Sequence, residues 1–303
     1  MNKRTNALII IASSLLLLGI AITVVALSLM NWNFAGLSTV KYETNNHEVT
    51  NAYSVISLKT TTADVIFIPS DNEKTSVVCY EAKNQKHTVE VTDGILKIEA
   101  TDTRKWYEHI GISFDSPKVT VYIPKGEYDA LAINSSTGDI KIPEGSNFKS
   151  IEANASTGDI SLDGITADNI KLSVSTGRVS VSNVTSTEKL EITVSTGKTE
   201  LNNIKTGSLI SSGNTGKLSM RDVITYGRLD IERSTGDITF DRCDAAEVFI
   251  ETDTGSVRGE FLTEKIIFAK TDTGDVEAPK LTSGGRCEIN TNTGDIKITI
   301  AGN

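Results

Sequence analysis

The chain has 303 residues and a formal net charge of −9, with 30 basic and 39 acidic side chains. This acidic balance argues against nucleic acid or an anionic lipid surface as the partner, because both attract a basic face. The three cysteines are odd in number and fit no metal-binding spacing, so the sequence predicts no disulfide framework and assigns them to the core.

The first predicted element is a transmembrane helix over 7–30. These 24 positions are uncharged and mostly apolar, which is long enough to cross a bilayer. Lys3 and Arg4 precede the helix and favour a cytoplasmic stub over 1–6, with the rest of the chain outside the membrane. The alternative is a cleaved signal peptide, because Ala26 and Ser28 offer a small-x-small site. The length of the apolar run favours an uncleaved anchor.

A polar linker is predicted over 31–51, followed by an irregular β-rich cap over 52–130. Short segments of alternating hydrophobicity in this region indicate atypical units that cover the first coil of a repeat fold. An insertion within the cap carries Trp106 and Tyr107. These two aromatic residues are either a partner-binding loop or part of a small core in the cap.

Over 131–303 a Thr-Gly corner recurs nine times, at intervals of 19 or 20 residues. With few exceptions, such as Thr199 and Ser211, apolar residues stand seven and five positions before the glycines and two and four positions after them. This alternation indicates strands with one buried face, because a helix would need spacings of three and four. Glycine suits the corner because it adopts a left-handed backbone without steric cost. The corner glycines are Gly138, Gly158, Gly177, Gly197, Gly216, Gly236, Gly255, Gly274 and Gly294.

Strand pairs this short cannot bury their apolar faces alone, so the repeats must stack on one another. The predicted fold is therefore all-β. It is a parallel β-helix, or β-solenoid, of about nine regular coils with an irregular β cap at its N-terminal end and one transmembrane helix before the cap. We use "coil" for one repeat and name each coil after its corner glycine.

The order of motifs also resembles a known family. The alternating strand that ends in Ile123-Pro124-Lys125-Gly126, the stretch LAINSSTGDI over 131–140 and the recurring Ser-Thr-Gly-Asp-Ile are similar to those of bacterial putative adhesins. The resemblance covers roughly residues 50–300. It implies a membrane-anchored or exported β-strand-repeat protein of a kind common in Gram-positive bacteria, with suggested roles in adhesion or envelope-stress responses. It implies no catalytic residues.

No catalytic residues are predicted from the repeats either. Parallel β-helices include polysaccharide lyases and hydrolases, and Asp139 and Asp159 stack on adjacent coils like a glycosidase carboxylate pair. These two acids lie side by side on a turn ladder, and no convergent set of acids and bases accompanies them. A carbohydrate-active enzyme is therefore the least favoured interpretation.

The only cofactor considered is calcium. Stacked carboxylates repel one another, and a hard cation with oxygen ligands would relieve that repulsion. The candidate ligands are Asp253, Asp272, Asp275 and Asp295, at the corners of the last three repeats. Solvated turn acids are the favoured alternative, because the Gly-Gly-x-Gly-x-Asp pattern of calcium-binding β-helices is missing.

Two aromatic residues form a candidate partner-binding patch. Phe249 and Phe268 stand six positions before their glycines in successive repeats, where side chains are predicted to point outward. Two exposed rings on adjacent coils would suit a protein partner or a sugar chain. The alternative is that a loop containing Phe261 folds over them.

The last repeat ends nine residues after its glycine and has no capping segment. The sequence therefore predicts an open strand edge in the C-terminal coil and end-on self-association through it. The favoured function is a non-enzymatic cell-surface binding or scaffolding protein. Its ligand would be a cell-wall polymer, another carbohydrate or a protein. An accessory role in envelope-stress signalling is the alternative.

Overall fold

The structure, a computed structural model, describes residues 3–29, 31–32, 40–103, 115–145 and 147–302. These residues form one helix and nineteen strands, and the strands belong to one sheet. Helix α1 spans Lys3–Leu29. Its part Thr5–Leu29 has a mean hydropathy of 2.8 and is long and apolar enough to cross a membrane.

The strands follow the helix in chain order. The first seven are β1 (Tyr42–Val49), β2 (Val55–Thr60), β3 (Asp64–Ser70), β4 (Thr75–Ala82), β5 (Gln85–Thr92), β6 (Ile95–Asp102) and β7 (Lys118–Pro124). The next six are β8 (Glu127–Thr137), β9 (Ile140–Ile142), β10 (Asn147–Thr157), β11 (Ile160–Asp163), β12 (Thr166–Thr215) and β13 (Leu218–Thr235). The last six are β14 (Ile238–Thr254), β15 (Val257–Phe261), β16 (Lys265–Thr273), β17 (Val276–Glu277), β18 (Gly285–Thr293) and β19 (Ile296–Ile300). The chain is thus all-β after α1, and β1 lies within the stretch predicted as a linker.

The corner glycines stack in single file. All nine have φ between +125° and +158°, a region that residues with side chains avoid. A Cβ atom built on Gly197 would overlap the carbonyl oxygen of Gly177 on the preceding coil. The file is held by backbone hydrogen bonds, such as the one from the Gly216 N–H to the Thr235 carbonyl (2.8 Å). Glycine is needed for both the backbone angle and the close approach of neighbouring coils.

In the middle of the molecule the coils follow chain order. The pairing is parallel and in register, so that Ile151 lies between Leu131 and Ile170 at the same repeat position. All three side chains are at most 1% exposed. The inward residues of successive coils form one hydrophobic core along the inside of the stack, as expected for a β-solenoid-like fold.

At the C-terminal end the coil order changes. Strand β18 pairs with both β14 and β16, and β19 pairs with both β15 and β17. The coil of Gly294 therefore lies between the coils of Gly255 and Gly274. The prediction that the last coil in the sequence carries an open edge is wrong. In the described part of the chain β16 pairs with β18 alone, so the open edge belongs to β16 and β17.

The N-terminal end shows a matching exchange. Strand β2 pairs with β6 and β8, and β3 pairs with β7 and β9. The β2–β3 unit is thus held between two later segments of the chain. Antiparallel strands then cover this end, since β5 pairs with β6, β4 with β7 and β1 with β4.

Each middle coil also has a second corner that the sequence analysis did not identify. Six positions after the glycine, Asn183, Asn203, Asp222 and Arg242 have φ between +49° and +54°. Asn and Asp adopt this left-handed conformation more readily than other residues with side chains. The Asn203 side-chain amide donates to Asn183 Oδ1 on the neighbouring coil (2.8 Å). A polar ladder therefore runs along this corner as well.

Candidate ligand-binding surface

A shallow groove of about 500 Å³ crosses five neighbouring coils beside the Thr-Gly corners. Its floor is made of two rows of small polar side chains, which stand four and two positions before the corner glycines. The first row is Asn134, Asn154, Ser173 and Thr193. The second row is Ser136, Ser156, Ser175 and Ser195. We call this surface the Ser/Asn groove.

The parallel register builds the groove. Asn154 faces Asn134 on one side and Ser173 on the other, so each coil adds two small polar side chains about 4.8 Å further along the stack. The Asn154 amide donates to Asn134 Oδ1 (3.2 Å). Among the described residues that line the groove, Lys59 is the one with a charge, and it is paired with Glu99 (3.3 Å).

The groove therefore presents hydroxyl and amide groups and carries little net charge. Hydroxyl and amide groups both donate and accept hydrogen bonds, and a lining of this kind suits a ligand rich in hydroxyl or amide groups. The groove is open along its length, so a long molecule can lie in it without having to fit inside a closed cavity.

The corner aspartates are engaged by the backbone of neighbouring coils. Asp139 Oδ1 accepts a hydrogen bond from the Asp159 N–H (2.9 Å). The same contact recurs near the C-terminal end, where Asp295 Oδ1 accepts from the Asp275 N–H (3.2 Å). These carboxylates link coils through charge-assisted hydrogen bonds.

The exchanged coil order also separates two of the four predicted calcium ligands. Asn292 lies on the coil between Asp253 and Asp272, and its amide donates to Asp253 Oδ1 (3.1 Å). Asp272 pairs with Lys270 (3.0 Å). The four acids are thus not gathered into one cluster. A calcium site at these corners stays a prediction.

The exchange changes the predicted aromatic patch in the same way. Glu288 lies between Phe249 and Phe268, so the two rings are not on adjacent coils. Phe249 is covered by the guanidinium carbon of Arg228, 3.9 Å from its ring centre. Phe268 is 58% exposed, while Phe261, the predicted cover, is fully buried. The expectation of two adjacent exposed rings is corrected to one exposed ring near the open edge.

Trp106 and Tyr107, the second predicted contact surface, lie outside the described residues. Both interpretations of that loop, partner binding and a cap core, stay predictions.

One chain of polar contacts in the cap has the order of a hydrolase triad. His87 Nε2 is 3.0 Å from Thr60 Oγ1, and His87 Nδ1 is 2.7 Å from Glu81 Oε2. Enzymes with a hydroxyl–imidazole–carboxylate site need the hydroxyl and the base to meet a substrate. The His87 side chain is 4% exposed, so a substrate has no access to the imidazole. This contact chain does not supply an active site.

The sequence matches the family described as Toastrack DUF4097 over residues 53–214 and 189–303. The chain belongs to the Toastrack DUF4097 family. The match includes nearly all of the β structure and leaves out α1. It fits the all-β, solenoid-like fold of the described residues. It also agrees with the adhesin-like family that the sequence motifs resemble.

Several solved structures are similar to this Toastrack protein. A putative adhesin from Bacteroides fragilis is 14% identical, with a TM-score of 0.42, over 85% of this chain and 97% of that one. A putative lipid binding protein from Parabacteroides distasonis is 14% identical, with a TM-score of 0.38, over 84% and 96%. A putative cell adhesion protein from Clostridium sporogenes is 13% identical, with a TM-score of 0.22, over 86% and 100%. Similarity at this level carries no argument about the ligand. No curated protein matches the sequence significantly.

Sequence analysis missed the Ser/Asn groove of this family member, although a signal for it is present. Serine stands two positions before the glycine in four successive repeats, at Ser136, Ser156, Ser175 and Ser195. The apolar residues that recur around each glycine predict the core. A small polar residue that recurs at one outward position with the same period predicts a continuous surface just as directly.

Proposed function

We propose that this Toastrack protein is a non-enzymatic, membrane-anchored surface protein that binds a neutral polar polymer, such as a wall polysaccharide, along the Ser/Asn groove. The observation that supports the proposal is the pair of polar rows across four neighbouring coils. A polymer with a regular repeat would meet two small polar side chains at each coil, an amide and a hydroxyl on the first two coils and two hydroxyls on the next two. The acidic net charge of −9 disfavours an anionic polymer.

The rest of the molecule has a supporting role in this proposal. Helix α1 anchors the chain with its N-terminus in the cytoplasm, and the β structure, a parallel β-helix of about nine regular coils, lies outside. The stacked sheet is stiff because each coil is hydrogen-bonded to its neighbours. It therefore holds the groove in a fixed shape, so little conformational entropy is lost when a ligand binds.

The test compares two matched pairs of serines on the same two coils. Ser156→Arg with Ser175→Arg fills the groove, whereas Ser161→Arg with Ser180→Arg changes the paired strands on the other side of the corner. Full-length protein in nanodiscs is tested for binding to purified wall polysaccharides. The groove variant should bind at least ten times more weakly than the control variant. Equal binding by both variants, or no binding by the wild type, would reject the proposal.

A second role, end-on self-association, is favoured by the open edge of β16 and β17. Phe268 and Val276 near this edge are 58% and 46% exposed. Unpaired strand edges readily pair with another chain, and a second copy offers an identical edge that can pair about a two-fold axis.

A further inference from the structure

The cap brings together three side chains of the kinds that bind metal ions, unlike the hydroxyl and amide groups of the Ser/Asn groove. Cys79 and Glu81 lie on β4, and His87 lies on β5. Cys79 Sγ, a carboxylate oxygen of Glu81 and a ring nitrogen of His87 all lie within 4.8 Å of one another. Within the described residues, this is the one group of three or more His, Cys, Asp or Glu side chains that meets this spacing. All three residues are buried.

Local structure explains why the three side chains meet. Cys79 and Glu81 are two residues apart on one strand, so both point to the inner face of the cap. The chain turns after Ala82, and β5 begins at Gln85, which brings His87 back towards Glu81. The His87 backbone N–H then donates to Glu81 Oε2 (2.7 Å).

The charge of Glu81 is poorly balanced for a buried group. Its carboxylate is 1% exposed and accepts hydrogen bonds from the Asn45 amide (2.7 Å) and from His87. Among the described residues, His87 is its one ion-pair partner within 4.0 Å. Burying a carboxylate is costly unless a positive charge compensates for it. A bound cation would provide that compensation.

A second histidine, on the strand that pairs with β4, has an unsatisfied nitrogen. His47 lies on β1, and its Nε2 atom is buried without a hydrogen-bond partner. Strand β1 pairs with β4 so that Asn45 is opposite Cys79. His47 is opposite Val77, which is two residues from Cys79 on the same strand. A buried ring nitrogen without a partner is costly. Coordination of a metal ion is one way to satisfy it.

We propose that Cys79, Glu81 and His87 bind a divalent ion of the zinc class, with His47 or a water molecule in the fourth position. Such ions take sulfur, nitrogen and oxygen ligands in a tetrahedron with bonds of about 2.0–2.3 Å. Ligand atoms within 4.8 Å of one another reach that geometry by small inward shifts. Calcium does not fit this site, because it takes oxygen ligands.

Binding has a defined proton balance. Burial, and then the charge of Glu81, raise the pKa of the Cys79 thiol to about 12, so the thiol is protonated when no ion is bound. The ion displaces this proton to solvent and is held by the thiolate. The proton between His87 Nδ1 and Glu81 moves to His87 Nε2, which then donates to Thr60 Oγ1, so that Nδ1 and the Glu81 carboxylate are free to bind the ion. The ion would cross-link β4 and β5 at the covered end of the stack.

The experiment uses reduced, full-length protein in detergent, titrated with Co²⁺ and then with Zn²⁺. The expected result is one Co²⁺ per chain, with the absorption of tetrahedral cobalt and a thiolate-to-cobalt charge-transfer band. Zn²⁺ should displace the cobalt and raise the melting temperature. Wild-type protein that binds no Co²⁺ above background would overturn the proposal.

Variants then identify the ligands. Cys79→Ala should abolish the charge-transfer band, while Cys287→Ala, which removes an equally buried cysteine, should keep it. A band that persists in Cys79→Ala would overturn the proposal. Glu81→Gln keeps the side-chain shape and should weaken Co²⁺ binding at least tenfold, with folding checked by circular dichroism. Unchanged affinity in a folded Glu81→Gln variant would also count against the site.

Discussion

The two ends of the stack differ in how they are closed, although both contain an exchanged coil. At the N-terminal end, the β2–β3 unit is held between two later segments, and antiparallel strands β1, β4 and β5 cover the outside. At the C-terminal end, β18–β19 is held in the same way, but β16 and β17 keep an open edge. The comparison shows that the first parallel unit, β2–β3, and the last one, β18–β19, are both placed inside the stack.

A physical reason favours this arrangement. A coil at the very end of both the chain and the stack would have one unpaired edge and one free end, and such segments fray. Placing the last segment between two coils pairs both of its edges. Burial accordingly follows position in the stack, since Cys287 on β18 is fully buried while Ile267, at the same repeat position on β16, is only partly buried.

The largest expected effect is on the free energy of unfolding, and it should be greater in the middle of the stack than at its open end. Gly197→Ala places a Cβ atom on the Gly177 carbonyl and should destabilise the fold by about 3 kcal/mol or more. Gly274→Ala should cost less, because the outermost coil can open locally. Urea unfolding measures both. Gly126→Ala is the control, since a Cβ atom there meets nothing within 4 Å. Equal stability of the Gly197 and Gly126 variants would contradict the close stacking of corners.

The next prediction compares the inserted coil with the outer one. Ile289→Ala in β18 should cost about 3 kcal/mol, because it leaves a cavity between two coils. Phe268→Ala in β16 should cost less than about 1 kcal/mol, because most of the ring is already in solvent. The measurement is again urea unfolding of each variant. A larger loss for Phe268→Ala would contradict the exposure of this ring on the open-edge strand β16.

A smaller effect is expected on association. Phe268→Lys with Val276→Lys adds charge beside the open edge and should weaken dimerisation about tenfold, because charged edges resist strand pairing. Sedimentation of full-length protein in detergent gives the dimer fraction. Tyr226→Lys is the matched control, since Tyr226 is exposed on a middle coil. A wild-type protein that stays monomeric at high concentration would remove the self-association proposal.

The smallest effect concerns the rates of thiol labelling. Burial is the main cause that raises the pKa of Cys79 and Cys287 to about 12 and that of Cys243 to about 11. The protonated thiols should therefore react negligibly at pH 8 in the folded protein, and faster as the pH rises towards these values. In the presence of a chelator, Cys287 should be alkylated a few times faster than Cys79, because it lies one coil from the open edge. Mass spectrometry of each cysteine reports the order.

Much of the fold is predictable because its signals are local. The corner period, the apolar columns around each glycine and the long apolar N-terminal segment each follow from short stretches of sequence. The exchanged order of the coils is not predictable in this way, because the repeats have similar residues at the positions where coils contact one another. Ile250 can pack on Ala269 as it packs on Ile289. The small residues Ala269 and Ala278 do not mark the Gly274 coil as outermost, since Ala153 and Gly259 hold the same positions in coils inside the stack.

The candidate sites likewise differ in how far the sequence predicts them. The Ser/Asn groove is readable from sequence, because its rows repeat with the corners. The cluster of Cys79, Glu81 and His87 is not, because it depends on how irregular strands of the cap fold back on one another. Phe249 and Phe268 stand in successive repeats, and only the pairing of β18 between their strands shows that they are not neighbours.

Disulfide trapping tests the exchanged coil order most directly. Residues Glu251 and Asn290 are paired on neighbouring strands, as are Lys270 and Asn290, whereas Glu251 and Lys270 are two strands apart. A disulfide needs Cα atoms within about 7 Å. The account predicts that Glu251→Cys with Asn290→Cys closes under mild oxidation and that Glu251→Cys with Lys270→Cys does not. Closure of the second pair but not of the first would show that the coils follow chain order, and would contradict the account.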